Sequence, residues 1–173
     1  YGQDVRKYID KVKCVRALLD KNGYTETESL LNVWNYVRGW DDNNIVYSHE
    51  QRRKIKGAAF SLAVMSACQY EDVDMLMYYD TRPSPFCGAF DLYTYEKLKG
   101  YYPLYWYGMF YDMDAWIKAE NSADNIYSLC GVDKNGKVLA VITHYTENDY
   151  AENKQINIDF GKTGKYEIYL LDD

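Results

Sequence analysis

The chain has 173 residues, a formal charge of −6 and a hydrophobic fraction of 47%, enough for one domain with a real core or for two small ones. The acidic balance argues against a nucleic-acid partner, which selects a basic footprint, and no apolar run approaches the ~20 residues of a membrane span. Aromatic residues are abundant at 17%, with 20 Tyr and 4 Trp; their flat apolar faces and polar tips suit sugar binding, interfaces and packing alike.

The chain opens on Tyr1 and passes directly into a helical pattern, which reads as a processed, trimmed or partial chain. Over residues 4–22, Val5, Tyr8, Ile9, Val12, Val15, Leu18 and Leu19 recur at helical spacing, and Gly23 follows as a C-terminal stop. A short strand is expected over 29–34, reached through the polar Thr25-Glu26-Thr27-Glu28. Residues 38–47 read as a loop in which Asp41 and Asp42 are solvated. Ser48 followed by Gln51 matches a capping box and predicts a helix from 48 to 69. Small residues in its 57–65 stretch predict close packing against a sheet. Residues 73–79 form the next expected strand, ended by Asp80-Thr81-Arg82-Pro83, and Pro83 and Pro85 keep the following loop extended. Residues 93–118 read as a third helical region interrupted near Gly100 and Pro103, with Pro103 in the first turn of its second segment.

After Glu120 the period changes. Residues 125–132 and 138–145 alternate in the strand manner around Asn135-Gly136, a strong hairpin signal. Residues 155–160 alternate with Ile156, Ile158 and Phe160 on one side, Gly161 to Gly164 turn the chain, and 166–171 return. The organisation is therefore α/β followed by β, with an α/β domain over 1–120 and a small antiparallel β module over 121–173. Right-handed crossovers are expected in the first part.

Few residues carry recognisable chemistry. Cys14, Cys68, Cys87 and Cys130 form no closely spaced pair, so a zinc site is not expected. Cys14 and Cys68 sit among apolar residues as packed thiols. His49 reads as a first-turn surface residue, and His144 has no Cys or His neighbour in sequence, so neither is assigned to a metal. No nucleophile elbow and no glycine-rich phosphate loop occurs. No cofactor is expected.

The segment Leu31-Asn32-Val33-Trp34-Asn35-Tyr36 resembles the seventh strand of retaining glycosidases of the (β/α)8 clan, especially glycoside hydrolase family 39, where the strand reads Asn-Glu-Trp-Asn or Thr-Glu-Trp-Asn. The resemblance extends to Gly57-Ala58-Ala59-Phe60, to Val73-Asp74-Met75-Leu76-Met77-Tyr78-Tyr79-Asp80 and to Leu98-Lys99-Gly100-Tyr101-Tyr102. It implies the C-terminal part of a (β/α)8 barrel followed by a small antiparallel β-sandwich-like module. Residues 4–22 would match the sixth barrel helix, 29–34 the seventh strand, 48–69 the seventh helix and 73–79 the eighth strand.

The implied ancestral reaction is hydrolysis of a β-glycoside such as a xyloside or a similar plant sugar. Retaining chemistry needs two carboxyl groups ~5–5.5 Å apart. The family nucleophile is the Glu of that strand, and Val33 stands in its place. The family acid/base, on the fourth strand, has no counterpart in this chain, and a complete barrel needs ~250 residues. No residue is therefore assigned as catalytic, and the isolated chain is expected to be inactive. Trp34 and Tyr79, at strand ends, are the best-placed members of a sugar platform that also draws on Tyr36, Trp40 and Tyr78; Asn35 joins them as a substrate-binding candidate. Asp80 has two readings, pairing with the following loop or Arg82, or contacting a sugar hydroxyl. The alternative function is a non-catalytic carbohydrate-binding or interaction module. A partial barrel leaves strand edges and apolar faces open, which predicts self-association or a second chain covering the gap.

Overall fold

The computed structural model describes residues 2–120, 123–161 and 163–172. The chain begins with helix α1 (Val5–Lys21), capped by the Asp4 carboxylate, which accepts from the Arg6 N–H at 3.0 Å. Strand β1 (Leu30–Trp34) follows, then helices α2 (Asp42–Arg52) and α3 (Ile55–Cys68), then strand β2 (Met75–Tyr78). β1 and β2 pair in parallel, with Leu30 opposite Met75, Leu31 opposite Leu76 and Asn32 opposite Met77. A parallel pair needs a crossover of a dozen or more residues, and α2 and α3 supply it. Helix α4 (Tyr101–Gly108) comes next, with Pro103 in its first turn, and a 3₁₀ turn over Met109–Asp112 extends it. Strands β3 (Ala115–Ile117), β4 (Ile126–Val132) and β5 (Val138–His144) close the fold as an antiparallel sheet in the order β3-β4-β5. Gly136, at φ 78°, makes the β4–β5 turn.

Helix α3 organises the interior. It is buried on nearly every side, as a helix apolar all round should be, and it touches α1, α2, α4, β4 and β5. Phe60 is its hub, with edge-on or tilted contacts to the rings of Tyr8, Trp34, Tyr36 and Tyr145. Leu129 and Val141 of the antiparallel sheet belong to this same core. The small residues of 57–65 thus serve close packing as expected, and the sheet they meet is β4–β5 together with α1 and α4.

Three expected elements differ from the structure. The helix read as 48–69 is two helices, and its start is not Ser48. Asp41 is the N-cap of α2, accepting from the Asn44 N–H at 3.2 Å. Ser48 lies inside α2, buried, donating to the Asn44 carbonyl at 2.6 Å and accepting from the Arg38 N–H. The helix breaks at the extended Lys54. There α3 crosses so close over the end of α2 that a Cβ on Gly57 would strike the backbone of Gln51 and Arg52. The helical region read as 93–118 contracts to α4 and its 3₁₀ turn, and 115–117 is strand β3. Trp116 of this strand stacks on Phe110, ring centroids 5.1 Å apart. Finally, 155–160 and 166–171 form no strand. Phe160 and Tyr166 do stack, with centroids 4.8 Å apart.

The two strands of the parallel pair have unlike faces. Leu31, Leu76, Tyr78 and Trp34 point to the helices and the core. Leu30, Asn32, Met75 and Met77, opposed in register, are exposed on the other face. Among the described residues, no helix is long and apolar enough to cross a membrane.

Candidate functional site

The candidate site is the rim formed by the C-terminal ends of β1 and β2. Its defining irregularity is a bulge at Val33: the ladder passes from Asn32–Met77 directly to Trp34–Tyr78, skipping Val33. Val33 has φ 58°, a left-handed conformation that crowds a β-branched side chain. Alternation alone would send Asn32 and Trp34 to one face. The bulge re-aims the strand end, so that Trp34 is 1% exposed in the core while Val33 is 39% exposed beside it.

Trp34 lies among Tyr78, Tyr8 and Phe60, its ring edge-on to Tyr78 with centroids 5.1 Å apart. Its indole N–H has no hydrogen-bond partner among the described residues. Asn35 is equally buried, and its amide is fully used. Nδ2 donates to the Tyr79 carbonyl at 2.5 Å and the Phe86 carbonyl at 3.0 Å. Oδ1 accepts from the Tyr36 N–H at 2.6 Å and the Tyr78 hydroxyl at 3.2 Å. Burial pushes the Tyr78 phenol well above its ordinary value, which keeps it a protonated donor to Asn35. Neither the Trp34 ring nor the Asn35 amide is open to a ligand in this structure. They hold the rim together.

Tyr79 and Asp80 are partly exposed. The Tyr79 N–H donates to the Trp34 carbonyl at 2.9 Å, which ties the two strand ends together. The peptide between Tyr79 and Asp80 is cis. Asp80 accepts from Arg82 Nε at 2.7 Å and from the Ser84 hydroxyl at 3.2 Å, and Arg82 also reaches the Tyr79 hydroxyl at 3.3 Å. Of the two readings of Asp80, the Arg82 pairing is the contact this structure contains. Asp41 is occupied as a helix cap, and Asp74 accepts from the Ser29 N–H at the opposite, N-terminal end of the strands.

Beneath the rim lies a residue that nothing in the sequence singled out. Arg52 is buried, donating from Nε to the Ser48 carbonyl and from Nη1 to the Phe86 carbonyl, both at 3.2 Å, with its guanidinium over the Phe86 ring. It anchors the loop after β2. His49, also on α2, contacts the Pro85 carbonyl at 2.7 Å.

A second polar cluster joins the two halves of the chain. Asp149 accepts from Tyr47 of α2 and from Lys56 of α3, and Arg38 lies 3.9 Å away. The Lys56 and Tyr47 hydrogen bonds hold the Asp149 carboxyl below its ordinary value. The partners are about a hundred positions apart in sequence, so no local pattern announces them. A cleft of about 460 Å³ opens here, between the α2–α3 junction and the end of β5, and another of about 650 Å³ separates the start of α1 from the start of β4. Neither is lined by Val33, Trp34, Asn35, Tyr79 or Asp80. Among the described residues, no group of three or more His, Cys, Asp or Glu is placed to hold a metal ion.

No protein-family profile and no curated protein sequence matches the chain. Its fold does match a solved structure, a glucosidase from Croceicoccus marinus, at 18% identity and a TM-score of 0.62. The superposition covers 86% of this chain and 32% of the glucosidase chain. The chain therefore folds like part of a glucosidase and spans about a third of that protein's length.

Proposed function

We propose that this chain is a glycoside-hydrolase-like unit of the family 39 kind, corresponding to the last strands of a (β/α)8 barrel and the β module after it, and that it does not hydrolyse glycosides. The observation that carries the reading is the bulge at Val33. It exposes the side chain at the place where the resemblance puts the nucleophile, while the flanking Trp34 and Asn35 are spent on holding the rim. A valine can neither attack an anomeric carbon nor move a proton. Asp80, the nearby carboxylate on β2's end, is neutralised by Arg82. Retaining hydrolysis needs a nucleophile and an acid/base together, and the rim offers neither. The ancestral substrate class is a β-glycoside. The exposed face of Leu30, Met75 and Met77 is the part of the barrel wall that further strands, from a second chain or another copy, would cover.

The direct test is to incubate the purified chain with a panel of aryl β-glycosides. No release of the aryl alcohol above a buffer blank is expected; sustained turnover by pure protein overturns the inactive reading.

A second reading, a carbohydrate-binding module, draws on the aromatic groups left accessible at the rim: Tyr79 is partly exposed and Trp40 is 61% exposed. In it Tyr79 and Asp80 contact sugar while Trp34 and Asn35 position them. Oligosaccharide binding in calorimetry that disappears in Tyr79→Ala would favour this reading; absence of binding to every sugar tested would remove it.

A further inference from the structure

Strand β5 lies at the edge of its sheet. The Tyr145 N–H donates to the Asn125 carbonyl at 2.9 Å, and the Asp133 N–H donates to the Lys137 carbonyl at 3.0 Å. These contacts set the parity of the β4–β5 ladder, because hydrogen-bonded pairs alternate along antiparallel strands. Leu139, Val141 and Thr143 therefore bond to β4, while Val138, Ala140, Ile142 and His144 aim their N–H and C=O groups at the open edge. The side chains of Val138, Ala140, Ile142 and His144 also share one face, opposite the buried Val141 and Thr143. Among the described residues no strand pairs with this edge. An open edge lined by apolar side chains is a template for pairing with other chains, and folds commonly cover it.

The chain after β5 comes back to the place where that edge ends. Asp149 is fixed to the helical side by Tyr47 and Lys56. The chain turns at Asn148, whose carbonyl accepts from the Ala151 N–H at 3.4 Å and whose side chain accepts from the Tyr150 N–H at 3.0 Å. Ala151, Glu152 and Asn153 then line one cleft with His144. Burial, with the Lys154 charge nearby, holds the His144 ring below its ordinary pKa. In the run that follows, Ile156, Ile158 and Phe160 alternate with Asn157 and Asp159. Its starting end is thus held near His144, while the run itself forms no strand.

We infer that residues 154–160 are a strap that closes on the open edge of β5 as a fourth, antiparallel strand, with Lys154 opposite His144. That register sets Ile156 opposite Ile142, Ile158 opposite Ala140 and Phe160 opposite Val138. Each apolar residue of the strap then meets an apolar residue of β5 on the same face, and such cross-strand pairs are the unit of sheet stabilisation. A slip by one residue would set Asn157 or Asp159 against Ile142 and Ala140 and turn both isoleucines to the other face. The backbone parity agrees, since the β5 residues so paired are the ones whose N–H and C=O groups face the edge. The Asp149 anchor lowers the loop-closure cost by bringing the strap to its starting point. At neutral pH His144 is uncharged, so its pairing with Lys154 does not oppose two cations. The strap belongs to the β module and does not require the glycosidase-like reading.

Nuclear magnetic resonance of the whole labelled chain tests it. The wild type is expected to show a close Hα–Hα contact between Val141 and Asn157, which face each other in this register as a non-hydrogen-bonded pair. The Ala140 and Ile142 amides should exchange with solvent about tenfold or more slowly than in Ile158→Pro, whose proline removes a donor from the strap. The Leu139, Val141 and Thr143 amides, bonded to β4, should not change, which shows that the variant is folded. The Val141–Asn157 contact in the wild type decides the matter without any variant. Three outcomes overturn the inference: no such contact in the wild type, edge amides equally protected in Ile158→Pro, or protection that vanishes on dilution and so assigns the edge to another copy.

Discussion

The β4–β5 hairpin and the 155–171 segment start from the same kind of sequence and end differently. Each has two alternating runs joined by a glycine-bearing stretch, and Gly136 and Gly161 both have positive φ. Only β4–β5 becomes a ladder, seven residues paired on each strand. What separates them is the surface beneath. Leu129 and Val141 rest in the core built around Phe60 of α3, whereas Ile156, Ile158 and Ile168 meet no such layer. Alternation and turn chemistry make a hairpin possible; burial of one face decides whether it is populated.

The sharpest way to break this comparison is to truncate one residue on each side of it. Leu129→Ala removes a 0%-exposed side chain from β4 and should cost ~2–5 kcal/mol. Ile168→Ala, at an 88%-exposed position, should stay within ~0.5 kcal/mol. Urea unfolding of the two variants measures both, and comparable losses would show that the segment is packed after all.

A smaller effect is expected at Val33. Its φ of 58° strains a β-branched residue by ~1–2 kcal/mol, and glycine relieves that at an entropic cost of ~0.5–1 kcal/mol. Val33→Gly should therefore raise stability by about 0.5–1 kcal/mol, read as a higher urea midpoint at unchanged slope. A loss would mean that the valine side chain contributes more at the rim than the backbone costs.

The smallest effect concerns the anchor that leads into the segment. The Asp149 carboxyl titrates lower folded than unfolded. Its contribution is therefore present above the unfolded value near ~4 and is lost as pH falls through the lower folded value. Its side chain is 38% exposed, so solvent screening limits the contribution to under ~1 kcal/mol. Asp149→Asn should lower the thermal midpoint at neutral pH, and the gap to wild type should close under acid conditions. A gap that persists unchanged at low pH would assign the effect to the Tyr47 hydrogen bond rather than to charge.

What could be read from the sequence was local. The α1 helix, its parallel-strand neighbours, Pro103 in a first turn and the Asn135-Gly136 hairpin all follow from signals spanning a few residues. Ser48 shows where local signals mislead: Ser48-x-x-Gln51 fits a capping box, yet Asp41 with Asn44 supplies the real cap seven positions earlier. A helix start is decided by which candidate first meets a packed turn, and the Asp41 pattern was present to be read. The α2–α3 break carries no proline; it follows from the crossing at Gly57, a tertiary event. At the rim, the Asp80–Arg82 pair spans two residues and was legible. The bulge at Val33 and the carbonyls held by Asn35 were not, because their partners lie more than forty residues away. Trp34 consequently read as a platform although its ring is a core element.

Three glycines where backbones nearly touch have a consequence for how this molecule can change over time. A Cβ on Gly100 would strike the Gly88 carbonyl, one on Gly88 the Arg52 carbonyl, and one on Gly57 the end of α2. The loop after β2, the α2–α3 junction and the start of α4 are thereby locked in sequence like links of a chain. Drift is cheap at the loop's exposed tip, where Tyr93 and Tyr95 stand in solvent. At the links, each change is conditional on the others: a second substitution at Gly88 or Gly100 should cost much less once the first has pushed the backbones apart. A lineage that loses one of these glycines would therefore be expected to lose the rest, and with them the loop that carries Phe86 to Arg52 and Asn35.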